Sequence, residues 1–131
     1  VTMYGVGNVL QVNPNWNPTY SYSTLPAGYD INTVPVHWKK MLTKVEPVER
    51  GMPKIQNINL YNVKATGAKK AINAIGLKES VLTQFNFKNI LIEGQSAGNI
   101  DFGAEWKFDN VVIKSTDGKP IKVTNSSNIK L

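Results

Sequence analysis

Three stretches of this chain carry the same alternation of apolar and polar residues. They are Ile58-Asn59-Leu60-Tyr61-Asn62-Val63, Phe85-Asn86-Phe87-Lys88-Asn89-Ile90 and Trp106-Lys107-Phe108-Asp109-Asn110-Val111, and Ile129-Lys130-Leu131 opens a fourth. The copies are spaced 27, 21 and 23 residues apart. An apolar residue at every second position is the pattern of a half-buried strand, so Ile58, Leu60, Phe85, Phe87, Trp106 and Phe108 are expected on one face. Each strand is closed by an asparagine (Asn62, Asn89, Asn110). Asparagine tolerates the left-handed backbone of a tight turn and can bond to its equivalents in a stack, which predicts an asparagine ladder.

A second short apolar segment follows each copy after a turn: Ala71 to Ile75, Asn99 to Phe102, and Pro120 to Val123, with Gly67, Gly98 and Gly118 in the turns between. A repeated strand-turn-strand unit of slightly over twenty residues predicts an all-β chain built as a β-solenoid, whose repeats share a core only when stacked. A sandwich would instead need antiparallel hairpins, and Asp117-Gly118 is the one hairpin dipeptide present. Val1 to Val6 is matched to Ile58 to Val63, with Gly5 in the place of the ladder asparagine, and Asn8 to Val12 then supplies a second strand. The whole chain, 1–131, is read as one domain, interrupted by a proline-rich insertion at 14–53. Within the insertion Trp38, Met41, Leu42 and Val45 recur at helical spacing. Asn32 or Thr33 is expected to cap that helix, with Pro35 in its first turn and Pro47 beyond its end.

Composition narrows the partners. Fifteen Lys and Arg against nine Asp and Glu give a net charge of +6, which favours an anionic partner through the long-range field. The lysines are dispersed, with only Lys39-Lys40 and Lys69-Lys70 adjacent, so nucleic acid is not expected as the partner; an acidic polysaccharide suits the charge. The chain has no cysteine and one histidine, which excludes disulfides and thiolate metal sites. No Asp-x-Asp-x-Asp run supplies an oxygen-ligand cage, and no cofactor is expected. No stretch of eighteen apolar residues predicts membrane insertion, and the first residues lack the basic and apolar regions of an export signal.

The repeats ending in Asn-Val and Asn-Ile, together with Asn15-Trp16-Asn17-Pro18, Tyr20-Ser21-Tyr22 and Pro35-Val36-His37-Trp38-Lys39, resemble the C-terminal part of bacterial members of glycoside hydrolase family 28, the polygalacturonases. The likeness extends over essentially the whole chain, and the Trp-Asn-Pro and Tyr-Ser-Tyr segments are its most specific part. It implies a right-handed parallel β-helix, action on pectic galacturonan with inversion, and a secreted, periplasmic or cell-surface location. It also implies that Trp16 or Tyr20 corresponds to an aromatic residue bordering the substrate groove. Candidate substrate-binding residues are therefore Trp16, Tyr20 and Tyr22, as stacking rings for sugar faces, with Lys39 and Lys40 to attract carboxylates; the alternative is that the three rings anchor the insertion onto the solenoid wall and the lysines are simply solvated.

Catalysis is not expected from this chain. The family's motifs (Asn-Thr-Asp, Asp-Asp, Gly-His-Gly and Arg-Ile-Lys) do not occur in it. Asn99-Ile100-Asp101 carries Ile where the motif has Thr, so Asp101 is read as a turn or surface residue. His37, flanked by Val36 and Trp38, is read as a helix surface or packing residue. Inverting hydrolysis needs two carboxyl groups roughly 6.5 to 9.5 Å apart, whereas Glu46 and Glu49 flank Pro47, and Glu105 and Asp109 are expected on the solvent side of their strand with Lys107. The leading expectation is a supporting part of a polygalacturonase-like hydrolase whose catalytic repeats precede Val1. A carbohydrate-binding or adhesin-like solenoid and part of another β-helix enzyme, such as a lyase, are the alternatives. Exposed solenoid ends would favour self-association.

Overall fold

The computed structural model describes residues 1–15 and 24–131. They fall into two compact units, Val1–Pro14 with Pro53–Leu131, and Asn15–Met52. The first unit is nearly all strand: β1 (Thr2–Tyr4), β2 (Asn8–Val12), β3 (Asn59–Ile75), β4 (Leu82–Thr83), β5 (Asn86–Asp101), β6 (Gly103–Ser115), β7 (Lys122–Thr124) and β8 (Ser127–Lys130). All eight join one sheet, and every pairing between them is parallel.

The register follows the sequence repeat. Asn59 pairs with Asn86 and Asn86 with Lys107; Leu60, Phe87 and Phe108 form the next row; Trp106 pairs with Ile129. Apolar side chains therefore meet their equivalents across the ladder. Phe85 lies flat on Trp106 with centroids 4.3 Å apart, and Phe87 on Phe108 at 4.7 Å. These rings share a core with Val63, Ala65, Ile72, Ala74, Ile90, Ile92 and Ile100. The Trp106 indole is wholly buried, and its Nε1 donates to the Leu82 carbonyl at 2.9 Å, so its polar edge is satisfied inside the core.

The long strands change direction at residues with left-handed backbone. Asn62, Asn89 and Asn110 have φ of 55°, 53° and 51°. Asn89 Nδ2 donates to Asn62 Oδ1 at 3.2 Å, and Asn110 Nδ2 to Asn89 Oδ1 at 2.9 Å. The ladder has formed, on an exposed edge. Five residues earlier stands a parallel column at Asn57, Gln84, Glu105 and Asn128, with φ of 58°, 58°, 58° and 52°. The four-residue segments between the columns are the first four residues of each sequence copy. The chain then continues into a further row of strand, Val63 to Thr66 on Ile90 to Glu93 on Val111 to Lys114.

That extra row corrects the reading of the N-terminus. β1 pairs with Lys64 to Thr66 rather than with Ile58 to Val63. Gly5 (φ 60°) bonds through its amide to the Thr66 carbonyl and lies beside Gly67 (φ 71°). Glycine thus answers glycine, since both corners demand positive φ. β2, pairing with Lys70 to Ala74, lies where the second strand was expected.

In the second unit the helix α1 covers Val36–Leu42, followed by a 3-10 turn at Val48–Gly51. Pro35 occupies the N-cap with no side-chain cap bond. Asn32 and Thr33 do not cap it, because both turn back on Asp30: the Asn32 amide donates to Asp30 Oδ1 at 2.9 Å and Thr33 Oγ1 to the Asp30 carbonyl at 3.0 Å. The helix ends before Val45, and Met41 is exposed, so the expected apolar face is only partly used. Tyr29 and Trp38 pack ring to ring at 5.2 Å. No helix among the described residues is long and apolar enough to cross a membrane.

Candidate functional site

Of the residues expected to bind substrate, Lys39 and Lys40 are the ones among the described residues. Trp16, Tyr20 and Tyr22 lie outside the described residues. Lys39 and Lys40 are exposed on α1, and Lys39 Nζ donates to the Asn32 carbonyl at 3.3 Å, a local tie within its own unit.

The acids are for the most part engaged in structure. Asp101 Oδ1 accepts from Thr124 Oγ1 and Asn125 Nδ2, both at 2.8 Å, and so joins β5 to the copy that follows. Asp109 pairs with Lys88 at 3.1 Å and Glu93 with Lys114 at 3.4 Å, each across adjacent copies. Asp117 accepts the Lys119 amide at 3.0 Å in its turn, and that bond lowers its carboxyl below the usual aspartate value. Among the described residues no three His, Cys, Asp or Glu side chains converge on a point where one ion could sit.

A groove of about 560 Å³ runs over Asn57, Gln84, Asn86, Glu105, Lys107, Asn128 and Lys130, with buried Trp106 beneath it. Its geometry follows from the fold. The left-handed column at 57, 84, 105 and 128 presents one row of polar side chains, and the outward positions two residues on (Asn86, Lys107, Lys130) present the next. Asn86 Nδ2 donates to Asn59 Oδ1 at 2.9 Å, which orients its amide. Among the described residues, the side chains of Gln84, Glu105, Lys107, Asn128 and Lys130 have no hydrogen-bond or ion-pair partner.

Chemically, this surface offers amide donors and acceptors, two ammonium groups and one carboxylate. It suits an extended ligand rich in hydroxyls and carrying negative charge. Among the described residues Glu105 is the one carboxylate that lines the groove. Sequence reasoning missed the groove because it followed aromatic rings. The available signal was the same 27, 21 and 23 residue spacing, carried by Asn57, Gln84, Glu105 and Asn128 one position before each apolar strand. Compared with family models, curated proteins and solved structures, the chain matches none.

Proposed function

We propose that this chain is the C-terminal β-helical part of a polygalacturonase-like glycoside hydrolase, a right-handed stack of parallel repeats that helps hold galacturonan without cleaving it. One observation carries this reading above the others. β3, β5, β6 and β8 repeat in parallel register, with the same left-handed corners and apolar rows recurring copy after copy. That is the arrangement expected when successive coils of one chain stack on each other. The resemblance in the Trp-Asn-Pro, Tyr-Ser-Tyr and Pro-Val-His-Trp-Lys segments supplies the substrate class, and the net charge of +6 suits a polyanion. Because the family's catalytic motifs do not occur here, the acids that perform hydrolysis belong outside these 131 residues, and this chain contributes binding surface and support.

The experiment is affinity electrophoresis through gels cast with polygalacturonate, with a neutral β-glucan or with no polymer. Retardation by polygalacturonate alone is expected. Equal migration in all three gels would overturn the reading. A second reading, a non-catalytic carbohydrate-binding or adhesin-like solenoid, is favoured by the amide-rich groove with its single carboxylate; retardation by neutral glycans as strongly as by the acidic one would select it.

A further inference from the structure

We propose that the groove over β5, β6 and β8 is a binding site for a carboxylate-bearing sugar unit, its carboxylate held between Lys107 and Lys130 and its hydroxyls by Gln84, Asn86, Glu105 and Asn128. The proposal rests on the acidic-polysaccharide reading above and goes further by assigning the site.

Lys107 and Lys130 are direct partners in the parallel β6–β8 register, so their backbones lie one strand spacing apart, about 4.8 Å. Like charges directly across a strand pair repel and destabilise the sheet. Elsewhere this sheet sets opposite charges across its copies, Lys88 on Asp109 and Lys114 on Glu93. At Lys107 and Lys130 no acid lies within ion-pair distance among the described residues. An anion bridging the two ammonium groups turns the repulsion into two charge-assisted bonds.

Glu105 has φ 58° in a column otherwise made of Asn and Gln. Like Gln84 at the same φ, Glu105 lacks the local compensation for left-handed backbone that asparagine gains, and the presence of both at groove-lining corners points to a use for their side chains. As a carboxylate it accepts hydrogen bonds and donates none. It therefore takes sugar hydroxyls and repels a second anion at its own position. The free amides of Gln84 and Asn128 flank it and can donate or accept. This division, cationic on the lysine row and acceptor-rich on the corner row, fits a ring bearing one carboxylate and several hydroxyls. It disfavours a densely charged phosphate polymer.

The test uses the full chain, isotopically labelled, titrated with trigalacturonate and with its carboxyl-reduced, neutral counterpart while the amide resonances are followed. The wild type is expected to bind the acidic trimer, with the largest shifts at the side-chain amides of Gln84, Asn86 and Asn128, and to bind the neutral trimer at least ten-fold more weakly. The pair Lys107→Ala with Lys130→Ala is expected to weaken the acidic trimer at least ten-fold while its unfolding temperature stays level or rises, since a repulsion is removed. Lys64→Ala with Lys69→Ala, which removes the same charge from elsewhere on the sheet, should leave binding near wild type. Undiminished binding by the Lys107/Lys130 variant, or equal loss in both variants, would overturn the site while leaving the galacturonan reading intact. Binding of glucuronate oligomers but not galacturonate ones, with the same amides shifting, would keep the site and overturn galacturonan. No shift with any acidic sugar would overturn both.

Discussion

Nine non-glycine residues among those described hold positive φ, and six of them are asparagine. Asparagine pays little for that conformation because its short amide bonds locally. Glu105 lacks this compensation, so Glu105→Asn is expected to raise stability by about 0.5–1 kcal/mol, read as a higher urea midpoint with unchanged slope. Gly98 is the opposite case. At φ 90° it lies so close to β3 that an added Cβ would stand 1.8 Å from the Ile72 carbonyl oxygen, and backbone cannot yield as a flexible side chain would. Gly98→Ala should cost about 3 kcal/mol or more, and a midpoint close to wild type would contradict the register between Ile72 and Gly98. Asp117 supplies a pH signature. Its carboxyl is lowered by the Lys119 amide, so its contribution is present above the ordinary aspartate value and is lost as pH falls through the lower, folded one. A carboxyl carbon titration should place Asp117 below the ordinary aspartate value, and Asp117→Asn should remove the acid-side loss that belongs to this turn.

At the scale of elements, stability concentrates where equivalent rings stack. Phe85→Ala leaves a hole against Trp106, at an expected cost of about 3–5 kcal/mol in equilibrium unfolding. The asparagine ladder is exposed and worth less: Asn89→Ala breaks both steps, and Asn89→Gly breaks them while keeping the backbone free to turn. These elements were the most legible in sequence, because period-two alternation and the closing asparagines are short-range signals. The all-β class, the parallel repeat and the aromatic rows could be read from Ile58, Phe85 and Trp106 onward. The strand Val63 to Thr66 was less visible, since Asn62 looked like an end when it is a bend, and that error displaced β1 by one segment. The helix cap failed for a comparable reason: Asp30 competed for Asn32 and Thr33, and nothing in their spacing announced the winner. The groove was hidden because its lining residues, amides and lysines, individually look like any solvated surface. Only their register in space makes a site.

For the whole molecule, the first unit carries a structured polar groove, and among the described residues Glu105 is the one acid that lines it. A net charge of +6 predicts attraction to a polyanion that fades as salt screens it, so retardation by polygalacturonate should fall steadily with ionic strength. Binding without bond cleavage is the central claim. The most direct test is a reducing-end assay of the purified 131-residue chain on polygalacturonate at high protein concentration, with mass spectrometry confirming that nothing longer is present. A role in binding without cleavage predicts no release above background from a chain that still binds the polymer. Sustained release from the same preparation would mean that acids assigned here to turns, ion pairs and a binding groove perform hydrolysis, and would contradict it.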